Sequence, residues 1–176
     1  MKSGMVVARH PLHPALVHYP IGSALVALIA DCIYLATRVP FWWGMTFWSL
    51  IFGVVGMFVA IGPGLWDYAT TGRLLVPRLG IAHMALNGLA LATLVADIVL
   101  MIVYRSGAGG MFNLTFGLTV AGNVLLGYAA WLGRQMVYRY RVGVAEPGEK
   151  ESPLFRVTLA PEQTEIAHKS DPRDLP

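Results

Sequence analysis

The chain has 176 residues, of which 56% are hydrophobic and only 13% are charged, and its mean hydropathy is +0.58. These values exclude a water-soluble globular domain, in which about 25% of the residues are charged. The single cysteine, Cys32, excludes an internal disulfide, a c-type haem attachment and a cysteine-based zinc site. The net charge is +3, and on such an apolar chain we expect basic residues to report membrane topology rather than nucleic-acid binding.

Four apolar segments fill nearly all of the chain up to Tyr140. Each is long enough to cross a hydrocarbon core about 30 Å thick, which needs about 20 helical residues. The connections are short, and short connections make consecutive helices antiparallel neighbours. We therefore predict an all-α fold, an integral membrane four-helix up-down bundle. The predicted spans are Pro14–Ala36, Trp42–Trp66, Leu79–Tyr104 and Met111–Val137.

The composition changes abruptly beyond Val144, where polar residues replace the apolar ones. Such a segment is too polar to build a core of its own. We predict an N-terminal interfacial segment over residues 1–13, the helical bundle over 14–140, and a polar, irregular cytoplasmic tail over 141–176. A signal peptide is not expected, because the first apolar run is longer than a signal h-region and contains Asp31.

Basic residues gather at the end of the bundle that holds both termini. They are Lys2, Arg9, Arg73, Arg78, Arg134, Arg139 and Arg141. The opposite end carries only Arg38 and Arg105. Because basic residues near short loops are retained in the cytoplasm, we predict that both termini are cytoplasmic.

Ionisable side chains are scarce within the predicted spans, where each costs about 2.5–3.5 kcal/mol near the bilayer centre. His18 and His83 each lie about five residues into a span, on the first and third helices, which run parallel. The two rings are therefore expected at nearly the same depth. Asp31 and Asp97 lie roughly 20 Å further along the same helices. The sequence thus predicts a histidine layer and an aspartate layer.

Two histidines at equal depth on diagonal helices favour a b-type haem, because neutral imidazoles bind the iron from its opposite faces. The predicted axial ligands are His18 and His83. Further polar residues are expected to hold propionates or a quinol proton by hydrogen bonds and ion pairs: Asp67, Arg73, Arg78 and Asn87. In this hypothesis the protein carries electrons between the haem and quinone or a partner protein, and is not itself an enzyme.

Other functions remain open. His18 and His83 could instead form a structural pair with Asp67 or Asn87, in which case the protein is an accessory subunit of a larger respiratory or photosynthetic membrane complex, held through its tail. A transporter is a weaker alternative, because four spans would have to oligomerise to enclose a path. Hydrolytic chemistry has almost no support, since there is no nucleophile elbow, phosphate loop or His-Glu metal motif.

Structural roles are expected for the remaining polar residues in and beside the spans. His13 precedes Pro14 and is expected to cap a helix rather than to bind a metal. For Asp31 and Asp97, bonds to groups on neighbouring helices are favoured over a role in proton transfer.

Three motifs resemble a bacterial family of four-helix membrane proteins, domain of unknown function 2231. They are His10-Pro11-x-x-Pro14-x-x-Val17-His18-x-Pro20-Ile21, Gly64-x-x-Asp67, and Arg78-x-Gly80-x-x-His83-x-x-x-Asn87. The stretch from Trp131 to Val144 resembles the end of that family's pattern, so the resemblance covers about residues 9 to 144. It implies a location in the bacterial inner membrane. Relatives joined to Rieske-type or quinoprotein domains imply a setting near membrane electron transfer, by analogy alone.

Overall fold

A computed structural model describes residues 5–7, 10–72, 76–104, 111–140, 142 and 155–157. Its helices are α1 (Leu12–Leu16), α2 (His18–Thr37), α3 (Pro40–Asp67), α4 (Pro77–Val103) and α5 (Met111–Tyr138), with a π-helical turn at Tyr68–Gly72. Three short strands accompany them, β1 (Met5–Val7), β2 (His10–Pro11) and β3 (Phe155–Val157). The predicted ends of all four spans lie within two residues of the observed helix ends.

Helices α1 and α2 form one nearly continuous rod. Val17, between them, has helical backbone angles (φ −67°, ψ −20°). Its amide donates to the His13 carbonyl oxygen at 3.2 Å, and the Ile21 amide donates to the Val17 carbonyl oxygen at 3.4 Å. This rod and the three other long helices are each long and apolar enough to cross a membrane. The four-helix membrane fold predicted above is confirmed.

The helices form two antiparallel hairpins, α2 with α3 and α4 with α5, which pack against each other. Helix α2 packs on α3 and α5, and α4 packs on the same two helices, so α2 and α4 are diagonal across the bundle. We call the end where α1 begins and α3 finishes the terminus end, and the end with the α2–α3 turn the hairpin end. Helices α2 and α4 run from the terminus end to the hairpin end.

Small side chains allow the helices to approach closely at the bundle axis. Ala24, Ala27 and Ala90 are completely buried, and the larger Leu50 and Leu94 fill the core beside them. Large apolar side chains point outward instead, as lipid-facing positions require. Among them are Leu25, Ile29, Phe52, Phe58, Leu89, Val99 and Val124.

The helix ends at the hairpin end follow from local sequence. Helix α2 stops at Thr37 because Arg38 adopts a left-handed conformation (φ 56°), with its amide bonded to the Tyr34 carbonyl oxygen at 2.8 Å. Helix α3 begins at Pro40, whose fixed φ and missing amide proton suit the first turn. The turn between the two helices is therefore very short.

Part of the chain outside the long helices forms a small sheet. The sequence predicts an irregular tail, and the structure instead gives the tail one short strand. Strand β3 of the tail pairs antiparallel with β1, and β1 pairs antiparallel with β2, in the order β2-β1-β3. Val6 faces Arg156 of β3 and Pro11 of β2 in this register. The pairing ties the tail to the start of the chain, next to α1.

Candidate functional site

His13 lies on the short helix α1 at the terminus end of the bundle. Its Nδ1 is 3.0 Å from the Ala60 carbonyl oxygen of α3. One turn further along α3, Gly64 leaves room for the ring, because a Cβ at that position would lie 2.7 Å from His13 Cε1. The expectation that His13 serves as a helix cap therefore misses its contact with a second helix.

His83 of α4 has a matching environment on the other hairpin. Its Nδ1 is 2.9 Å from the Ala129 carbonyl oxygen of α5. Gly133, four residues after Ala129 as Gly64 is after Ala60, faces the ring, and a Cβ there would lie 3.3 Å from His83 Cε1. The two hairpins thus hold their histidines in the same way.

The rings of His13 and His83 meet across the bundle. Their centroids are 6.4 Å apart and their planes are almost perpendicular, at 87°. A carbonyl oxygen can only accept a hydrogen bond, so in each neutral ring Nδ1 carries the proton and Nε2 keeps a lone pair. We call His13 and His83 the histidine pair.

His18 takes no part in this pair, and the ring that meets His83 is that of His13. His18 is exposed on the outer face of α2. There it lines an open groove of about 370 Å³ between α2 and α3. The other lining residues are Tyr19, Gly22, Ser23, Val26, Ser49 and Phe52.

Helical phase explains why His13 and not His18 turns inward. From His13 to Asp31 the rod makes roughly five full turns, and from His83 to Asp97 α4 makes roughly 3.9. Both histidines therefore lie near the face of their buried aspartate. The interval from His18 to Asp31 is roughly 3.6 turns, which puts His18 on the far side of the rod. Depth alone favoured His18 in the sequence, whereas phase would have selected His13.

The other predicted site residues are placed as follows. Asn87 lies one turn after His83, with its Nδ2 at 2.8 Å from the His83 carbonyl oxygen and at 3.3 Å from His83 Nε2. Asp67 is half-buried at the end of α3, and Arg78 is exposed in the first turn of α4. Arg73 lies outside the described residues.

A second polar cluster lies near the hairpin end. Asp31 of α2 and Asp97 of α4 are completely buried, with 1% and 0% exposure. Thr46 of α3 donates to Asp31 Oδ1 at 2.7 Å, and Thr119 of α5 donates to Asp97 Oδ2 at 2.7 Å. The aspartate layer predicted from the sequence is thus bonded to neighbouring helices.

The donor set at the terminus end limits which metal centre could be held. Among the residues that the structure describes, no group of three or more His, Cys, Asp or Glu side chains could hold a metal ion. The histidine pair offers two imidazole nitrogens, which is too few for a structural zinc site. A macrocyclic cofactor supplies its own equatorial ligands and needs only axial ones from the protein.

Comparison with known proteins identifies a family. A family model described as a predicted membrane protein, DUF2231, matches residues 9–146. Searches of curated proteins and of solved structures found no match to this chain.

Proposed function

This chain belongs to the DUF2231 family of predicted membrane proteins, and we propose that it takes part in membrane electron transfer by binding a b-type haem at the histidine pair. His83 would hold the haem iron, as the sequence predicts, and His13 would take the place of His18. The haem would exchange electrons with quinone or with a redox partner in the membrane. We also propose that the protein lies in the bacterial inner membrane. Both termini would be cytoplasmic, because most of the arginines lie at the terminus end of the bundle.

The observation that carries the proposal is the matched fixing of two imidazoles on diagonal helices. Histidine ligands of metal centres commonly donate their second ring nitrogen to a carbonyl oxygen, which sets the tautomer and the ring orientation. His13 does this with Ala60 and His83 with Ala129. Both rings therefore keep Nε2 as a neutral lone-pair donor, the form that binds haem iron.

The separation of the rings agrees with a shared metal centre. Two imidazoles that would hold one metal ion, with metal–nitrogen distances of about 2 Å, have ring centroids no more than roughly 6 Å apart. The centroids of the histidine pair are 6.4 Å apart. Asn87 contacts His83 Nε2 and also bonds a backbone carbonyl oxygen, so it can release the ring nitrogen and keep its second bond.

Quinone is the proposed electron partner because the groove at His18 opens on the outer surface of the same half of the bundle. His18 follows His13 by about 7.5 Å along the rod. The groove combines the imidazole and the hydroxyls of Ser23 and Ser49 with the aromatic ring of Phe52. A quinone head group needs both hydrogen-bond partners and apolar contact, and it can arrive from within the bilayer.

The test is a reduced-minus-oxidised absorption spectrum of the purified protein, with a pyridine haemochrome assay. We expect a Soret and an α band in the wild type, and loss of bound haem in His13→Ala and in His83→Ala. His18→Ala is the matched control, which should keep the haem spectrum and slow haem reduction by a quinol. A colourless wild type, or unchanged absorbance in His83→Ala, would refute the proposal.

A second candidate is a non-catalytic accessory subunit, favoured by the paired tail. Strand β3 is an outer strand of the three-stranded sheet, and such an edge can add a strand from another protein. In that case deletion of the protein should lower the abundance of a larger respiratory or photosynthetic complex on native gels, with every cofactor of the remaining complex intact. Normal abundance after deletion would argue against this role.

A further inference from the structure

The carboxyl groups of Asp31 and Asp97, which we call the carboxyl pair, are buried near the hairpin end, away from the histidine pair. They come from the diagonal helices α2 and α4, and both are buried in the bundle. Thr119, which bonds Asp97, lies one turn before Asn123 of the same helix, and the Asn123 amide donates to the Ala24 carbonyl oxygen of α2 at 3.0 Å. The packing of α5 on both diagonal helices therefore brings the two carboxyls to the same level of the bundle interior.

One oxygen of each carboxyl lacks a hydrogen-bond partner among the described residues, Asp31 Oδ2 and Asp97 Oδ1. Both side chains are almost fully excluded from solvent. Two ionised carboxylates would repel one another and would leave two buried acceptors unsatisfied, which is costly in hydrocarbon. A carboxylic acid beside a carboxylate removes one charge and gives both orphaned oxygens a partner at once.

No basic group of the described helices lies beside the pair to offer another solution. The closest one along α2 is Arg38, about 10 Å further along the axis, where its guanidinium carbon lies 5.3 Å from the ring centroid of Phe112. The other titratable side chains of the four long helices are Tyr19, His18, Cys32, Tyr34, Asp67, Arg78, His83, Tyr128, Arg134 and Tyr138. Helix α3 contributes only Asp67, at its opposite end.

An aromatic cluster closes the bundle between the carboxyl pair and the hairpin end. Tyr34, Trp43 and Phe112 come from three different helices, and their ring centroids are 5.0 to 6.0 Å apart. Tyr34 and Trp43 lie about one turn, and Phe112 about two turns, beyond the bonded aspartate or threonine of the same helix. Arg38 covers the outer side of two of the rings. Water from that end is therefore kept away from the carboxyls.

We propose that Asp31 and Asp97 form one intramembrane proton-binding site, in which a single proton is shared between the two carboxyl groups. The threonines leave the orphaned oxygens for that proton. The Thr46 hydroxyl donates to Asp31 Oδ1 at 2.7 Å, and Oδ2 is the oxygen without a partner. The Thr119 hydroxyl likewise donates to Asp97 Oδ2 at 2.7 Å, and Oδ1 is the oxygen without a partner.

The test is infrared spectroscopy of the purified full-length protein in lipid nanodiscs at neutral pH. A protonated carboxyl shows a C=O stretch that is separate from carboxylate bands and shifts in D₂O. We expect the absorption of one such group per chain in the wild type and in the control Asp171→Asn, whose aspartate belongs to the C-terminal tail, and none in the double variant Asp31→Asn/Asp97→Asn. In each single variant the carboxyl left behind should lose the band or absorb at a new frequency, because its shared proton is gone.

Asparagine is close to aspartate in size, and circular dichroism checks that the variants keep their helices. If the double variant does not fold, the two single variants decide the question through their frequencies. The proposal is overturned if the wild type shows no band of a protonated carboxyl, or if that band survives in the folded double variant. It is also overturned if the wild-type band has the intensity of two protonated carboxyls and each single variant halves that intensity without a shift in frequency. The infrared measurement does not require bound haem. A failure of this proposal can therefore be distinguished from a failure of the proposed function.

Discussion

The tight space around His13 leads to a prediction about two glycines of α3. Replacing Gly64 by alanine puts a Cβ 2.7 Å from His13 Cε1 and 2.8 Å from its Nδ1, so the ring must move and its bond to Ala60 is lost. Overpacking costs about 1–3 kcal/mol. The lost hydrogen bond adds about 1 kcal/mol, while the better helix propensity of alanine returns about 1 kcal/mol. We expect Gly64→Ala to lower the free energy of unfolding by about 1–3 kcal/mol.

Gly62→Ala is the matched control, because a Cβ at Gly62 meets nothing within 4 Å. Gly62→Ala gains helix propensity without any clash, so the free energies of unfolding of the two variants should differ by about 3 kcal/mol. The assay is reversible unfolding by sodium dodecyl sulfate in mixed micelles, followed by far-ultraviolet circular dichroism, with haem content measured on the same samples. Equal unfolding midpoints for the two variants would refute the packing of His13 against α3.

Three further predictions concern the second hairpin, the carboxyl pair and the topology. Gly133→Ala should lower the free energy of unfolding by about 1 kcal/mol relative to the control Gly127→Ala, which is less than the effect of Gly64→Ala. The new Cβ would lie 3.3 Å from His83 Cε1, and a small shift of the ring relieves that contact. In the same unfolding assay, Thr46→Val should lower the free energy of unfolding by about 1–3 kcal/mol, because Asp31 loses its hydrogen-bond donor. The control is Thr93→Val, whose hydroxyl bonds a carbonyl oxygen of its own helix, and it should cost under about 1 kcal/mol. Equal losses in the two variants would contradict the bond between Thr46 and Asp31. Fusions of alkaline phosphatase to the C-terminus should be inactive and fusions of a fluorescent protein should be bright, and the reverse pattern would exclude cytoplasmic termini.

The fold could be predicted from the sequence because the bilayer leaves few choices. Uninterrupted apolar runs of more than 20 residues must form helices that satisfy their own backbone, and short turns fix their order. Pro40 begins a helix and Arg38 ends one, within two residues of the predicted boundaries. The pairing of β3 with β1 was not predictable, because three-residue strands joining distant parts of the chain leave no periodic pattern.

The candidate site was only partly predictable. His83 and the layer of buried aspartates follow from the cost of ionisable groups in a membrane. The partner of His83 does not follow in this way, because depth alone favours His18, and the helix start expected at Pro14 suggested a capping role for His13. The carbonyl oxygens of Ala60 and Ala129 carry no side-chain signal at all, so only the folded backbone reveals them.

The central claim is that two imidazoles, from His13 and His83, bind one haem iron. Electron paramagnetic resonance of the oxidised protein tests it most directly, because axial ligands determine the iron spin state. The account predicts a low-spin ferric signal, because two imidazoles are strong-field ligands of haem iron. That signal should persist in His18→Ala and disappear in His13→Ala. A wild-type sample with no haem iron, or a high-spin signal unaffected by His13→Ala, would contradict the account.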